Sequence, residues 1–144
     1  MQLSEIHEQW EEDCKLDRTE LGEESLRIPQ LHSKYYKIYS EERSAFRKYE
    51  GQFKKLQKVK FEYYNGTISE EELNENGWEP FQIRVLKTDV PIYLDSDPDI
   101  VKAKSILAQQ QEKVEFVEAI IKSLPQRGYQ IKAAIDWEKF KVGA

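Results

Sequence analysis

The stretch from Pro29 to Tyr64 limits what this 144-residue chain can become more than any other part of it. Beyond its first residue it has no proline and no turn pair, and its one glycine is Gly51. Fully helical, it would extend roughly 54 Å. With Ile28 at an a position, the a series is Ile28, Tyr35, Glu42, Tyr49, Leu56 and Tyr63, and the d series is Leu31, Ile38, Ala45, Gln52 and Val59. Nine of these eleven are apolar or aromatic in a chain that is 39% hydrophobic, where chance would supply about four. Tyr39, Phe46 and Phe53 widen the seam. Lys34, Lys37, Arg43, Arg47, Lys48, Lys54, Lys55 and Lys58 fall away from it, and Lys60 falls on its flank. The pattern predicts a long helix, apolar on one side and cationic on the other.

The flanking segments predict further helices. Leu3, Ile6, Trp10 and Cys14 form the stripe of a short first helix that Ser4 can cap. Asp17 and Glu20 stand at capping-box spacing for a second. Pro29 sits in the first turn of the next helical segment or kinks a continuous one; the pattern leaves both open. "NGT" at Asn65 ends the long helix. Ser69 opens a short one that Gly77 can close. In "FQIRVLKTDVPIYL" the period changes to two. This predicts a β-hairpin with Phe81, Ile83 and Val85 on one face, a turn at Lys87–Asp89, and Pro91 keeping the second strand at an edge. "DSDPDI" mimics half a calcium loop, but Ile100 and Ile106 stand where glycine and glutamate are required. Asp97 as a helix cap with Pro98 in the first turn is the better reading. The helix that follows shows Ile100, Ala103, Leu107, Val114, Val117, Ile121 and Leu124 on one face and is expected to break near Pro125. A last helix carries Ile131, Ile135, Trp137 and Phe140. The fold class is mainly α with a small hairpin. The expected regions are 1–66, holding the basic helix, and 67–144, holding hairpin and C-terminal helices and providing assembly.

The chain's net charge of −5 is unevenly spread. Residues 1–24 hold nine acids and two bases, residues 34–60 nine bases and three acids, and residues 61–144 fifteen acids and ten bases. An acidic average therefore does not argue against a polyanionic partner. Catalytic chemistry has no visible carrier. There is no phosphate loop, no HExxH pair and no nucleophile elbow, and His7, His32 and Cys14 lack metal-ligand spacing. One cysteine excludes an internal disulfide, and no apolar run reaches bilayer-spanning length. The expectation is a soluble, intracellular binding protein without cofactor or metal.

The densest cations, Lys54, Lys55, Lys58 and Lys60, run directly into Phe61, Tyr63 and Tyr64. Single-strand binders combine a cationic track with stacking rings. Arg47 and Lys48 extend the track, and Tyr64 and Phe61 are the freer rings because Tyr63 lies on the seam. Val59 and Tyr63 are expected to face the packing and both Lys58 and Lys60 to look outward. The competing reading is a solvated lysine face on a helical scaffold or adaptor that never touches nucleic acid.

Three blocks, "EDCKLDRTEL", "KVKFEYYNG" and "RGYQIKAAIDWEKF", carry a resemblance to the UvsY-type recombination mediators of T-even-like phages. Their spacing fits over nearly the whole chain. The resemblance implies a non-enzymatic protein acting in the cytoplasm of an infected bacterium. It also implies a ring-like homo-oligomer of six or seven subunits that binds single-stranded DNA. Such a ring helps load a UvsX-type recombinase onto DNA coated by the phage single-strand-binding protein. The family's DNA-contacting basic pair falls on Lys58 and Lys60, the second a lysine where the pattern has arginine. A lysine keeps a phosphate contact but not a fork-like one.

Overall fold

The structure, a computed structural model, describes residues 1–143. Among them are five helices: α1 (Leu3–Asp13), α2 (Leu21–Asn65), α3 (Glu70–Asn76), α4 (Val90–Ser96) and α5 (Pro98–Lys141). They pack into two compact units, one built from Met1–Ser44 and the chain from Gln111 onward, the other from Ala45–Gln110.

In the first unit, α1 lies against α2 and α5. Ile6, Leu31, Tyr35, Ile38, Val117, Ile120 and Leu124 are buried together, with Trp10, Ile28 and Tyr39 packed around them. The Trp10 and Tyr35 rings meet edge to face at 5.3 Å. The heptad seam is therefore real here, and its polar member Glu42 is buried facing the N-terminal ammonium at 3.4 Å and Lys113 at 3.9 Å. Two polar hubs close the unit. Asp13 accepts from Arg27 (3.0 Å), Lys34 (2.5 Å) and Tyr35 (2.8 Å). Burial alone would raise its carboxyl pKa, but the hydrogen bonds and the cations hold it below the usual value. Arg127, only 5% exposed, donates to the carbonyls of Cys14 and Lys15 and to Glu24, each at 2.9–3.0 Å. It thereby satisfies the carbonyls of the two residues that directly follow α1.

Both prolines resolve in the same way. Pro29 lies inside α2 and Pro125 inside α5, so the break expected at Pro125 is absent. An internal proline costs a helix about 3 kcal/mol. Leu31 and Tyr35 beyond Pro29, and Leu124 and Ile131 around Pro125, are each buried. Every such side chain returns about 1.5–3 kcal/mol, and both prolines face solvent.

In the second unit the expected hairpin is also absent: the described residues contain no strand. Residues 80–86 are irregular, and "VPIYLDS" is α4. Val90, Ile92 and Leu94 would share one face of a strand. The structure buries Val90 and Leu94 but leaves Ile92 66% exposed, which is a spacing of four. Pro91 sits in the first turn, where a missing N–H is harmless. Asp17, expected to cap the second helix, lies outside it: α2 begins at Leu21, and Asp17 Oδ1 accepts from Thr19 N and Thr19 Oγ1. Three other predicted caps hold. Ser69 Oγ accepts from Glu72 N at 3.2 Å, Gly77 closes α3 at φ +67°, and Asp97 Oδ1 accepts from Asp99 N and Ile100 N at 2.9 and 3.1 Å. At the N-terminus the cap is Gln2 rather than Ser4, and the Glu5 carboxylate accepts from Gln2 N.

Candidate nucleic-acid interface

Within the second unit, α2 presents Arg47, Lys48, Lys54, Lys55 and Lys58 to solvent. Arg47, Lys54 and Lys58 follow one another at seven and four residues and so share a stripe, with Lys48 and Lys55 on the adjoining one. From Arg47 to Lys58 the rise is roughly 16 Å. Lys54 and Lys58 make only loose pairs within the helix, to Glu50 at 3.7 Å and Glu62 at 4.0 Å. Exposed pairs of this kind contribute little and exchange readily for another anion. Arg47, Lys48 and Lys55 have no ion pair among the described residues. Phe61, half exposed, stands on the helix just past this group.

Lys60 does not belong to the row. Expected to look outward beside Lys58, it is 6% exposed. Its Nζ lies 3.1 Å from Asp97 Oδ2 and 3.0 Å from Asp99 Oδ2, and 4.1 Å above the centre of the Trp78 ring. The reason is elementary. Residues two apart on a helix are separated by roughly 200°, so two such lysines cannot both face the same solvent. The side chain of Lys58 is 78% exposed.

Tyr64 is also engaged. Its hydroxyl donates to Asp97 Oδ2 at 2.5 Å, and its ring meets Phe81 edge to face at 4.9 Å. Burial, reinforced by the hydrogen bond to Asp97, pushes the phenol pKa far up, so the group remains a donor. Tyr63 donates to the Glu79 carbonyl at 2.7 Å. Tyr63, Tyr64, Trp78, Phe81 and Tyr93 form one cluster with ring centres 4.9–5.9 Å apart. Of the sequence-predicted residues, then, Arg47, Lys48, Lys54, Lys55 and Lys58 form one exposed group, while Lys60 and Tyr64 converge on Asp97 inside the unit.

Asp97 was legible as a cap, not as a hub. One oxygen holds the first turn of α5, and the other takes Lys60 and Tyr64. Burial alone would raise its pKa. The hydrogen bonds from Tyr64, Lys60 and the Ile100 N–H, with the lysine's charge, lower it instead. A carboxyl depressed in the fold stabilises it fully above its unfolded pKa, about 3.9, and that stability is lost as pH falls through the lower folded value. Thermal midpoints taken by circular dichroism from pH 5 down to pH 2 should therefore fall. In Asp97→Asn, which keeps the cap oxygen but has no charge to lose, the fall should be shallower. An unchanged pH profile in that variant would show that Asp97 carries no linkage.

A family profile described as "Recombination, repair and ssDNA binding protein UvsY" matches residues 9–144. The recombination protein uvsY of Enterobacteria phage T4 is 24% identical over 143 residues, 99% of each chain. Two crystal forms of the bacteriophage T4 recombination mediator protein UvsY are similar in fold. Lattice type II has a TM-score of 0.85 at 25% identity, covering 99% of this chain and 98% of that one. Lattice type I has a TM-score of 0.83 at 23% identity, covering 95% and 98%.

Proposed function

The chain belongs to the UvsY family of recombination, repair and single-stranded-DNA-binding proteins, and from that premise we propose that the α2 row of Arg47, Lys48, Lys54, Lys55 and Lys58 is where it holds the strand. The supporting observation is a set of exposed cations, three of them without an ion pair among the described residues, in a chain of net charge −5. Lysines at this spacing grip phosphates without reading sequence, so binding is nonspecific and salt-dependent. Lys60 and Tyr64 support the row from behind.

A single row is short and would bind weakly. Several rows on one homo-oligomeric ring of six or seven subunits raise the effective concentration, and one strand then spans subunits. Tyr129, Trp137, Phe140 and Val142 towards the end of the chain are exposed large hydrophobic residues that would serve such an assembly. In this reading the protein is a mediator and not an enzyme. The wrapped strand is released from the phage single-strand-binding protein and presented to a UvsX-type recombinase, in the cytoplasm of the infected host. No helix among the described residues is long and apolar enough to cross a membrane.

Anisotropy of a labelled oligothymidylate, titrated at several salt concentrations alongside a measured oligomer mass, tests this. Affinity should fall as salt rises. Lys55→Ala/Lys58→Ala should flatten the slope of log K against log salt by about 1.4 for each subunit engaged, two contacts at about 0.7 each. Absent or salt-independent binding would favour the scaffold reading.

A further inference from the structure

At the end of α2, within the second unit, lies an open cleft of about 470 Å³. That falls in the range of about 300–1,000 Å³ usual for small-molecule sites. Tyr63, Tyr64, Phe81, Gln82 and Arg84 are among its lining, with the Phe81 ring against both tyrosine rings at 4.9 and 5.7 Å, and no lining residue is a carboxylate. Both tyrosine hydroxyls are already committed, to Glu79 and Asp97, so what these residues offer the cleft is ring surface. Arg84 is exposed and has no ion pair among the described residues. The C-terminal end of α2 also lies here, at Asn65 with Gly66 just beyond it, where a helix's last carbonyls lack partners from within the helix; that of Glu62 is taken by the N–H groups of Thr67 and Ile68. A site with aromatic faces, a free guanidinium and carbonyl acceptors suits a flat heterocycle that has amino and keto groups on its edge. It does not suit a phosphate, which the negative end of the helix repels.

We propose that this cleft receives one unpaired base of the bound strand, whose phosphates lie along the lysines one to three turns back on α2. The proposal rests on the strand-binding reading above and adds a base-accepting subsite to it. A ring face takes any base, so the subsite favours bases over bare backbone without choosing a sequence.

The test compares an oligothymidylate with an abasic oligomer of equal length and equal phosphate count, at one salt concentration. The oligothymidylate should bind about fivefold tighter or more, the lower end for one stacked base. Arg84→Ala and the cleft-filling Val85→Trp should each bring that ratio towards one, whereas Tyr36→Ala, an exposed ring in the first unit, should retain most of it. Circular dichroism checks the fold, and if Val85→Trp misfolds, Arg84→Ala at an exposed position decides alone. Equal binding of the two oligomers by the unaltered protein overturns the subsite and leaves the strand-binding reading standing. A ratio that survives in the folded variants also overturns it, and would leave the cleft to an apolar protein partner. If neither oligomer binds, both readings fail.

Discussion

Lys60→Met should lower the unfolding free energy by about 3–5 kcal/mol, because it leaves Asp97 charged and buried with its cation gone. For a chain of this length that is a fall of roughly 10 °C or more in thermal midpoint. Lys58→Ala, removing a side chain 78% exposed, should leave the midpoint where it is. The two lysines thus separate under two measurements. Lys58→Ala should change the salt dependence of DNA binding and not stability. Lys60→Met should change stability, and at temperatures where the variant is folded its salt slope should match the parent's. Adding Asp97→Asn to Lys60→Met removes the orphaned charge and should recover much of the midpoint, as neutral replacement of a buried pair commonly does. A Lys60→Met protein that melts normally but binds with a flattened salt slope would mean that Lys60 reaches phosphate after all.

Arg127→Ala should be of similar size in the first unit, again about 3–5 kcal/mol, read from denaturant midpoints. Its guanidinium serves two carbonyls at the end of α1 and the Glu24 carboxylate on α2 at once. Truncation strands both carbonyls, leaves Glu24 only its 3.5 Å pair with Arg27, and removes the tie from α5 to the other two helices. Arg127→Lys should recover only part of the loss, since one ammonium cannot reproduce a planar fork that meets three acceptors. Full recovery by lysine would show that charge, and not fork geometry, holds the junction.

Local pattern made much of this molecule readable. The seam at Leu31, Tyr35, Ile38 and Glu42, the caps at Ser69 and Asp97, and the closing Gly77 all depend on residues within a few positions of one another. The hairpin was misread because alternation and a spacing of four coincide in "VPIYL": Val90 and Leu94 satisfy both, and only the exposure of Ile92 separates them. Pro125 read as a stop because the burial that carries α5 past it comes from packing on distant segments. In the site, the exposed cations followed from their distance from the seam, and the opposed directions of Lys58 and Lys60 were available from the helical period. That Lys60 would meet Asp97, and Arg127 the end of α1, had no local signal, because the partners lie 37 and about 110 residues away.

The Asp97 carboxylate joins the last turns of α2 to the first turn of α5 through its two oxygens. Neither helix end can fray without breaking the other's anchor. If the proposed row holds a strand, the backbone beneath Lys55 and Lys58 is tied down by these contacts beforehand, and most of the ordering on contact would fall to the lysine side chains. A row fixed in this way would lose less entropy on capturing a strand than a flexible basic arm, which would favour holding a polymer in a defined extended form over merely gathering it.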